Sequence, residues 1–192
     1  MRLGRYDWAV YSAFICYAVS SLALPLAIVD MADDLNFRLD AGGMTAGGGL
    51  HLLRSAAVVV MLLGCGALAG KIGKRRSMGL SMFLTGAGIC ACSLSTRYWM
   101  LLPFLFAAGL GEGLCEGIAT PFVEGLHREE TERYVNIAHG FWSVGIAAAV
   151  LLAGGILSFG VSWQAVLALS GLAALGTCLL LFWRENPDKR YT

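Results

Sequence analysis

Apolar residues follow one another along this chain in six long blocks, separated by short polar or charged segments. Each block can form a helix that crosses a bilayer, because such a helix needs about 20 mostly apolar residues. The blocks cover about residues 8–29, 44–69, 78–94, 99–123, 135–157 and 163–183. The pattern predicts an all-α integral membrane protein. We expect residues 1–192 to form a single bundle of six transmembrane helices, built as two inverted three-helix repeats.

The composition also favours a lipid environment. Hydrophobic residues make up 57% of the 192 residues and charged residues only 14%, whereas a soluble domain carries about 25% charged residues. The net charge of +1 provides no global field that would attract nucleic acid. The six cysteines lie inside apolar blocks without a CxxC pair, so we interpret them as packing residues and predict neither a metal site nor a cofactor.

Positive charge is divided unequally between the two sides of the predicted bundle. The side with both termini carries eleven cations, the other side carries Arg38 and Arg97, and Arg54 lies inside the second block. Because cytoplasmic loops carry the excess of Lys and Arg, both termini are predicted to face the cytoplasm, with the chain in the cytoplasmic membrane. The eleven cations are Arg2, Arg5, Lys71, Lys74, Arg75, Arg76, Arg128, Arg133, Arg184, Lys189 and Arg190.

Two carboxylates interrupt the fourth block. Glu112 and Glu116 are four residues apart, so they lie on one face of the helix. A charged side chain in the hydrocarbon region costs about 2.5–3.5 kcal/mol on insertion scales, so both should face the bundle interior or water. We interpret them as proton-coupling or substrate-binding groups. The structural alternative makes Glu112 a partner of Arg54 and places Glu116 at the cytoplasmic edge of the membrane.

Arg54 lies about ten residues from either face of the membrane, too deep for its side chain to reach the surface. A buried cation requires a counter-charge. We therefore predict that Arg54 pairs with Glu112. In the alternative interpretation, Arg54 lines a wet cavity and meets an anionic solute.

A polar pair opens the fifth block. Asn136 and His139 are three residues apart, share a helix face, and lie at a depth similar to that of Glu116. Histidine changes its charge near neutral pH, which suits proton coupling or solute binding. A hydrogen bond between helices is the structural alternative for His139.

A glycine-rich basic segment joins the second block to the third. Its sequence is GALAGKIGKRR, from Gly66 to Arg76. The segment suits a positive-inside anchor, since the C terminus of a helix favours cations. It also resembles the signature loop of the major facilitator superfamily, G-x-L-a-D-r-x-G-r-k, with Gly70 where the family has an aspartate. The resemblance implies a loop that gates the cytoplasmic side, formed here by Gly66, Gly73, Lys74 and Arg75.

The fourth and fifth blocks resemble the fucose:proton symporter branch of that superfamily. That branch has a GLG-rich fourth helix with C-x-E and A-N-P-F-V, followed by L-N-x-x-H/Q-x-F-x-x-x-G. Thr120 replaces the asparagine here, and His139 stands at the H/Q position. By this resemblance, Glu116 is the membrane-embedded proton-coupling glutamate of a transporter for a sugar or another small polar metabolite. The residues that match are Glu116, Ala119, Pro121, Phe122, Val123, Asn136, Phe141 and Gly145.

Transporters of this superfamily hold their solute between two six-helix bundles, and this sequence contains one. The expected partners are therefore the lipid bilayer, a small solute, protons, and either a second copy of the chain or a separate second half. A truncated, inactive remnant and a non-transporting membrane subunit are the alternatives. The sequence contains neither H-E-x-x-H nor G-x-S-x-G, so we predict that the protein is not an enzyme.

Overall fold

The computed structural model describes residues 3–39 and 44–182, with the backbone alone described at 44 and 45. The predicted helices are present, and polar residues at their ends extend most of them beyond the apolar blocks. The C-terminal tail with Arg184, Lys189 and Arg190, like Arg2, lies outside the described residues. The elements are α1 (Arg5–Asp34), α2 (Met44–Ile72), α3 (Lys74–Ser93), α4 (Tyr98–Leu126), α5 (Thr131–Ala148), a π-helical turn (Ala149–Ala153), α6 (Gly154–Ser158) and α7 (Trp163–Phe182).

Five of the helical stretches are long and apolar enough to cross a membrane by length and composition. Four of them are α1, nearly all of α2, α4 and α7. The fifth is a continuous rod, Thr131–Ser158, made of α5, the π-helical turn and α6. A multi-pass membrane protein follows from these stretches. The predicted count of six crossings depends on α3, which is not among the five, and it stays a prediction.

The composition of α3 follows from its position. This helix begins with Lys74, Arg75 and Arg76 and then packs between α4 and α7. Its buried face combines three large apolar side chains, Met78, Met82 and Ile89, with many small and hydroxylated residues, among them Ser77, Ser81, Thr85, Gly86 and Gly88. Such residues let helices approach closely in lipid and lower the mean hydropathy of the segment.

The helices form an open arc in the order α2, α4, α3, α7, α1 and α5, in which each packs mainly against its neighbours. Weaker contacts between α1 and α4, and between α4 and α5, cross the arc. The two end helices are the least covered. Within the most apolar 18-residue segment of each helix, only 17% of the residues are buried in α2 and in the α5–α6 rod, against 44% to 56% in α1, α4 and α7. One side of the bundle is therefore open between α2 and α5.

Glycine permits close packing of α3. A Cβ atom on Gly88 would lie 2.7 Å from the backbone nitrogen of Ala108 in α4. A Cβ on Gly86 would lie 2.7 Å from the carbonyl oxygen of Gly171 in α7. The sequence of each helix thus sets the distance at which α4 and α7 flank α3.

Candidate functional site

The predicted pair between Arg54 and Glu112 is confirmed. Arg54 Nε lies 2.9 Å from Glu112 Oε2, and Nη2 lies 2.5 Å from Oε1, in a bidentate arrangement that joins α2 to α4. The two residues are only 6% and 3% exposed. A guanidinium and a carboxylate match each other in this geometry, and each supplies the counter-charge that the other needs away from water.

Arg54 also binds the backbone of α1. Its Nη1 donates to the carbonyl of Ser21 at 3.0 Å, and its Nη2 donates to the carbonyl of Ser20 at 3.3 Å. Pro25 lies inside α1 and has no N–H, so the Ser21 carbonyl four residues earlier lacks its helical donor. Arg54 therefore satisfies an acceptor that the proline leaves free, and it connects α1, α2 and α4.

These contacts occupy most of the guanidinium. Four of its five N–H donors make hydrogen bonds to Glu112 and to α1. The charge of Arg54 is balanced by Glu112 at the same place. The alternative interpretation, in which Arg54 meets an anionic solute, is thus not favoured by the structure.

Glu116 lies one turn along α4 in a different environment. It is exposed, and the hydroxyl of Tyr17 in α1 donates a hydrogen bond to its Oε2. Around it is a groove of about 230 Å³ between α1, α4 and α5, which we call the aromatic groove. The residues that line it are Phe14, Tyr17, Cys115, Glu116, Thr120, His139 and Trp142.

Three of the lining side chains, Phe14, Tyr17 and Trp142, carry large aromatic rings. The ring of Phe14 meets the imidazole of His139 edge to face, with centroids 5.4 Å apart and an angle of 64°. The Nε1 atom of Trp142 is buried and has no hydrogen-bond partner within the part of the chain that the structure describes. An indole N–H shielded from water normally finds an acceptor, so this unsatisfied donor is an unusual feature of the groove wall.

The predicted site residues thus separate into two groups. Glu116 and His139 line the aromatic groove, whereas Arg54 and Glu112 form the buried pair one turn away. Asn136 is exposed on α5 and does not line the groove. Sequence reasoning missed Phe14, Tyr17, Thr120 and Trp142. The spacing of Phe14 and Tyr17, and of His139 and Trp142, places each pair on one helix face and was the available signal.

Among the residues predicted to form a gating loop, the two cations bind other helices. Gly73 has a φ of 85° and makes the turn between α2 and α3. Lys74 Nζ donates to the carbonyl of Pro121 in α4 at 2.8 Å, and Arg75 Nη1 donates to that of Leu181 in α7 at 2.7 Å. A Cβ on Gly66 would meet no atom within 4 Å. The cations therefore stabilise carbonyls near helix C termini, and the gating role stays a prediction.

The described residues offer neither a metal site nor a disulfide. Within residues 3–39 and 44–182, no cluster of three His, Cys, Asp or Glu side chains is arranged to hold a metal ion. The six cysteines are free thiols, five of them buried.

Comparison with known proteins agrees with this architecture. The chain is 26% identical to the 4-hydroxybenzoate transporter PcaK of Pseudomonas aeruginosa over an alignment of 200 positions. The alignment covers 98% of this chain but 42% of that transporter, so the chain spans less than half of the length of its relative. The closer resemblance to fucose:proton symporters stays a prediction. The family model of the Major Facilitator Superfamily matches residues 9–192, and the chain belongs to that superfamily.

Proposed function

We propose that this chain transports a small solute across the cytoplasmic membrane as one half of a major-facilitator-type transporter. The observation that carries the proposal is the aromatic groove, in which an exposed carboxylate and three aromatic rings meet inside a membrane protein. An ionisable residue at membrane depth is energetically costly, so such residues are rare and mark functional sites by default. Pockets that bind small molecules combine apolar walls with a few polar groups, as this groove does.

The open side of the helix arc supports a second bundle as the missing partner. The groove is formed by α1, α4 and α5, and the flanking helices α2 and α5 have the least covered apolar faces. A second six-helix bundle against this side would enclose the groove near the middle of the membrane. The second bundle belongs to a further part of a longer chain, to a separate protein or to a second copy. An adjacent reading frame that encodes six more helices would favour the first two.

Alternating access is the mechanism that this arrangement suits. The two bundles rock about the bound solute and open the groove first to one side and then to the other. Both termini lie on the cytoplasmic side in this proposal, because α1 begins and α7 ends near the basic loop between α2 and α3. Lys74 and Arg75 then hold the cytoplasmic ends of α4 and α7 together.

Glu116 is the group that we propose for proton coupling. Its neighbour Glu112 is neutralised by Arg54 and is shielded from water, so Glu112 has no free exchange with a solution. Glu116 is exposed in the groove and accepts one hydrogen bond from Tyr17. Protonation of Glu116 would change the charge of the groove while a solute occupies it, which couples the two binding events. His139, across the groove, is the second group that can exchange a proton.

Uptake by cells that produce the natural transporter, including its second half, tests this proposal. The labelled solutes are 4-hydroxybenzoate, 4-hydroxybenzylamine and L-fucose, each with and without an inward proton gradient. We expect gradient-driven uptake of at least one solute and a loss of about tenfold or more in Glu116→Gln. Glu124→Gln, a change at an exposed position of α4 outside the groove, is the matched control. Uptake that ignores both the gradient and Glu116→Gln would contradict proton coupling, and absence of uptake for all three would favour a non-transporting subunit.

A further inference from the structure

The charges of the aromatic groove indicate which solutes it accepts. We propose that the groove binds its solute through a cationic nitrogen, so that small organic ammonium compounds are preferred over carboxylates. This inference rests on the proposed transport function and adds a substrate class to it. It concerns binding, which can be measured in the absence of transport.

The charged side chains of the lining favour a cation. Glu116 is the one carboxylate there, and the described lining residues include neither Lys nor Arg. The other titratable side chains that face the groove are Tyr17, Cys115 and His139. A solute carboxylate would therefore lie beside Glu116 without a permanent cation to balance the two negative charges.

Arg54 does not supply the missing cation. It lies behind the groove, 6% exposed, and its charge is matched by the bidentate contact with Glu112. Two more of its N–H groups are used by α1 carbonyls. An anionic solute would have to break this pair and leave Glu112 buried without a partner, which is strongly unfavourable.

The aromatic walls of the groove also favour a cation. Phe14, Tyr17 and Trp142 line the same groove as Glu116. The face of an aromatic ring attracts a cation, and tryptophan does so most strongly. Several rings together with one carboxylate provide both the apolar contact and the counter-charge that an alkylammonium group needs. The same rings alone would accept a neutral ring compound, so the carboxylate is what selects the cation.

A hydroxyl group in the lining bears on the part of the solute next to the ammonium group. Thr120 contributes a hydroxyl to the same lining. A solute that also carries a hydroxyl group would form a hydrogen bond with Thr120, which points to small hydroxylated amines as the best ligands.

A series of three probes with one ring tests the charge preference. The probes are 4-hydroxybenzylamine, 4-hydroxybenzyl alcohol and 4-hydroxybenzoate, which differ in one substituent and are cationic, neutral and anionic. Binding to the purified protein in lipid nanodiscs is followed by tryptophan fluorescence at about pH 8, where an ordinary histidine is neutral. We expect the amine to bind about tenfold more tightly than the alcohol and the carboxylate to bind most weakly.

Variants separate the role of Glu116 from general effects. Glu116→Gln should reduce the preference for the amine over the alcohol by about tenfold, whereas Glu124→Gln should retain it. A thermal melt without ligand confirms that each variant is folded. Tightest binding of 4-hydroxybenzoate, no binding of any probe, or a preference for the amine that survives Glu116→Gln would overturn the inference. Uptake of 4-hydroxybenzoate in preference to the amine would overturn the inference while supporting transport, whereas amine binding without uptake would support the inference and contradict transport.

Discussion

Glu112 and Glu116 are the same residue type, one helical turn apart on α4, and they have opposite surroundings. Glu112 is 3% exposed and is held by the Nε and Nη2 atoms of Arg54. Glu116 is exposed, contacts the Tyr17 hydroxyl and faces a groove large enough for a small molecule. The helix period brings both carboxylates to one face, but neighbouring helices decide what each of them meets.

A single membrane helix tolerates these two carboxylates for two different reasons. A buried charge is tolerated when a geometrically matched counter-charge accompanies it, and then its role is to connect helices. An exposed charge at similar depth is tolerated when water or a solute reaches it, and then it is free to bind and to exchange protons. Glu112 should therefore act in the stability of the bundle, and Glu116 in binding.

Removal of Arg54 should have the largest effect. Arg54→Leu leaves Glu112 buried without a partner, and breaking a buried ion pair from one side lowers the free energy of unfolding by about 3–5 kcal/mol. We expect little folded protein in size-exclusion chromatography in detergent. Arg97→Leu, at an exposed position at the start of α4, should give a normal yield. Exchanging the charges, Arg54→Glu with Glu112→Arg, should recover part of the yield, and no recovery would contradict the pair.

Matched amide substitutions compare the two carboxylates directly. Glu112→Gln leaves the charge of Arg54 unbalanced and should lower the free energy of unfolding by about 3 kcal/mol or more. Glu116→Gln keeps the shape of an exposed side chain and should cost less than about 1 kcal/mol, since interhelical hydrogen bonds in membranes contribute about 0.6 kcal/mol on average. Unfolding in mixed detergent micelles provides both values. Equal losses would show that the division between the two residues is wrong.

The buried pair could be predicted from the sequence because few charges interrupt the apolar blocks. Arg54 is too deep to reach water, and the fourth block offers Glu112 at a comparable depth. Burial without a counter-charge is so costly that composition alone restricts the choice of partner. The helices themselves were predictable for the same reason, since long apolar segments have one stable form in lipid.

The aromatic groove could not be predicted from the same kind of argument. Phe14, Tyr17 and Trp142 are apolar or nearly so, and residues of this kind face lipid, core or ligand equally well in a membrane protein. Which side they face depends on how α1 and α5 rotate against α4, and this depends on packing between helices. The sequence pattern fixes neither the contact between Tyr17 and Glu116 nor the exclusion of Asn136 from the lining.

A smaller effect should reveal the link between Arg54 and the proline of α1. Arg54→Lys keeps the charge but loses the planar fork that serves Glu112 and the Ser21 carbonyl together. Pro25→Ala restores an N–H for that carbonyl, so it should reduce the cost of Arg54→Lys by about 0.5–1 kcal/mol in a double-mutant cycle. Pro103→Ala, at an exposed proline of α4, should leave the cost unchanged. Equal effects of the two proline substitutions would contradict the proposed link.

The smallest expected effect concerns the aromatic groove beside Glu116. Trp142→Phe keeps an aromatic ring in the groove but removes the buried N–H and weakens the attraction for a cation. Since a cation–π contact contributes about 0.5–1 kcal/mol, we expect about two- to fivefold weaker binding of 4-hydroxybenzylamine, measured by calorimetry. The free energy of unfolding should not fall, because no hydrogen bond within the described residues is lost. Trp99→Phe, which alters an exposed side chain outside the groove, should bind the amine normally. An equal loss of affinity in both variants would remove Trp142 from the binding site and leave Glu116 as the selective group.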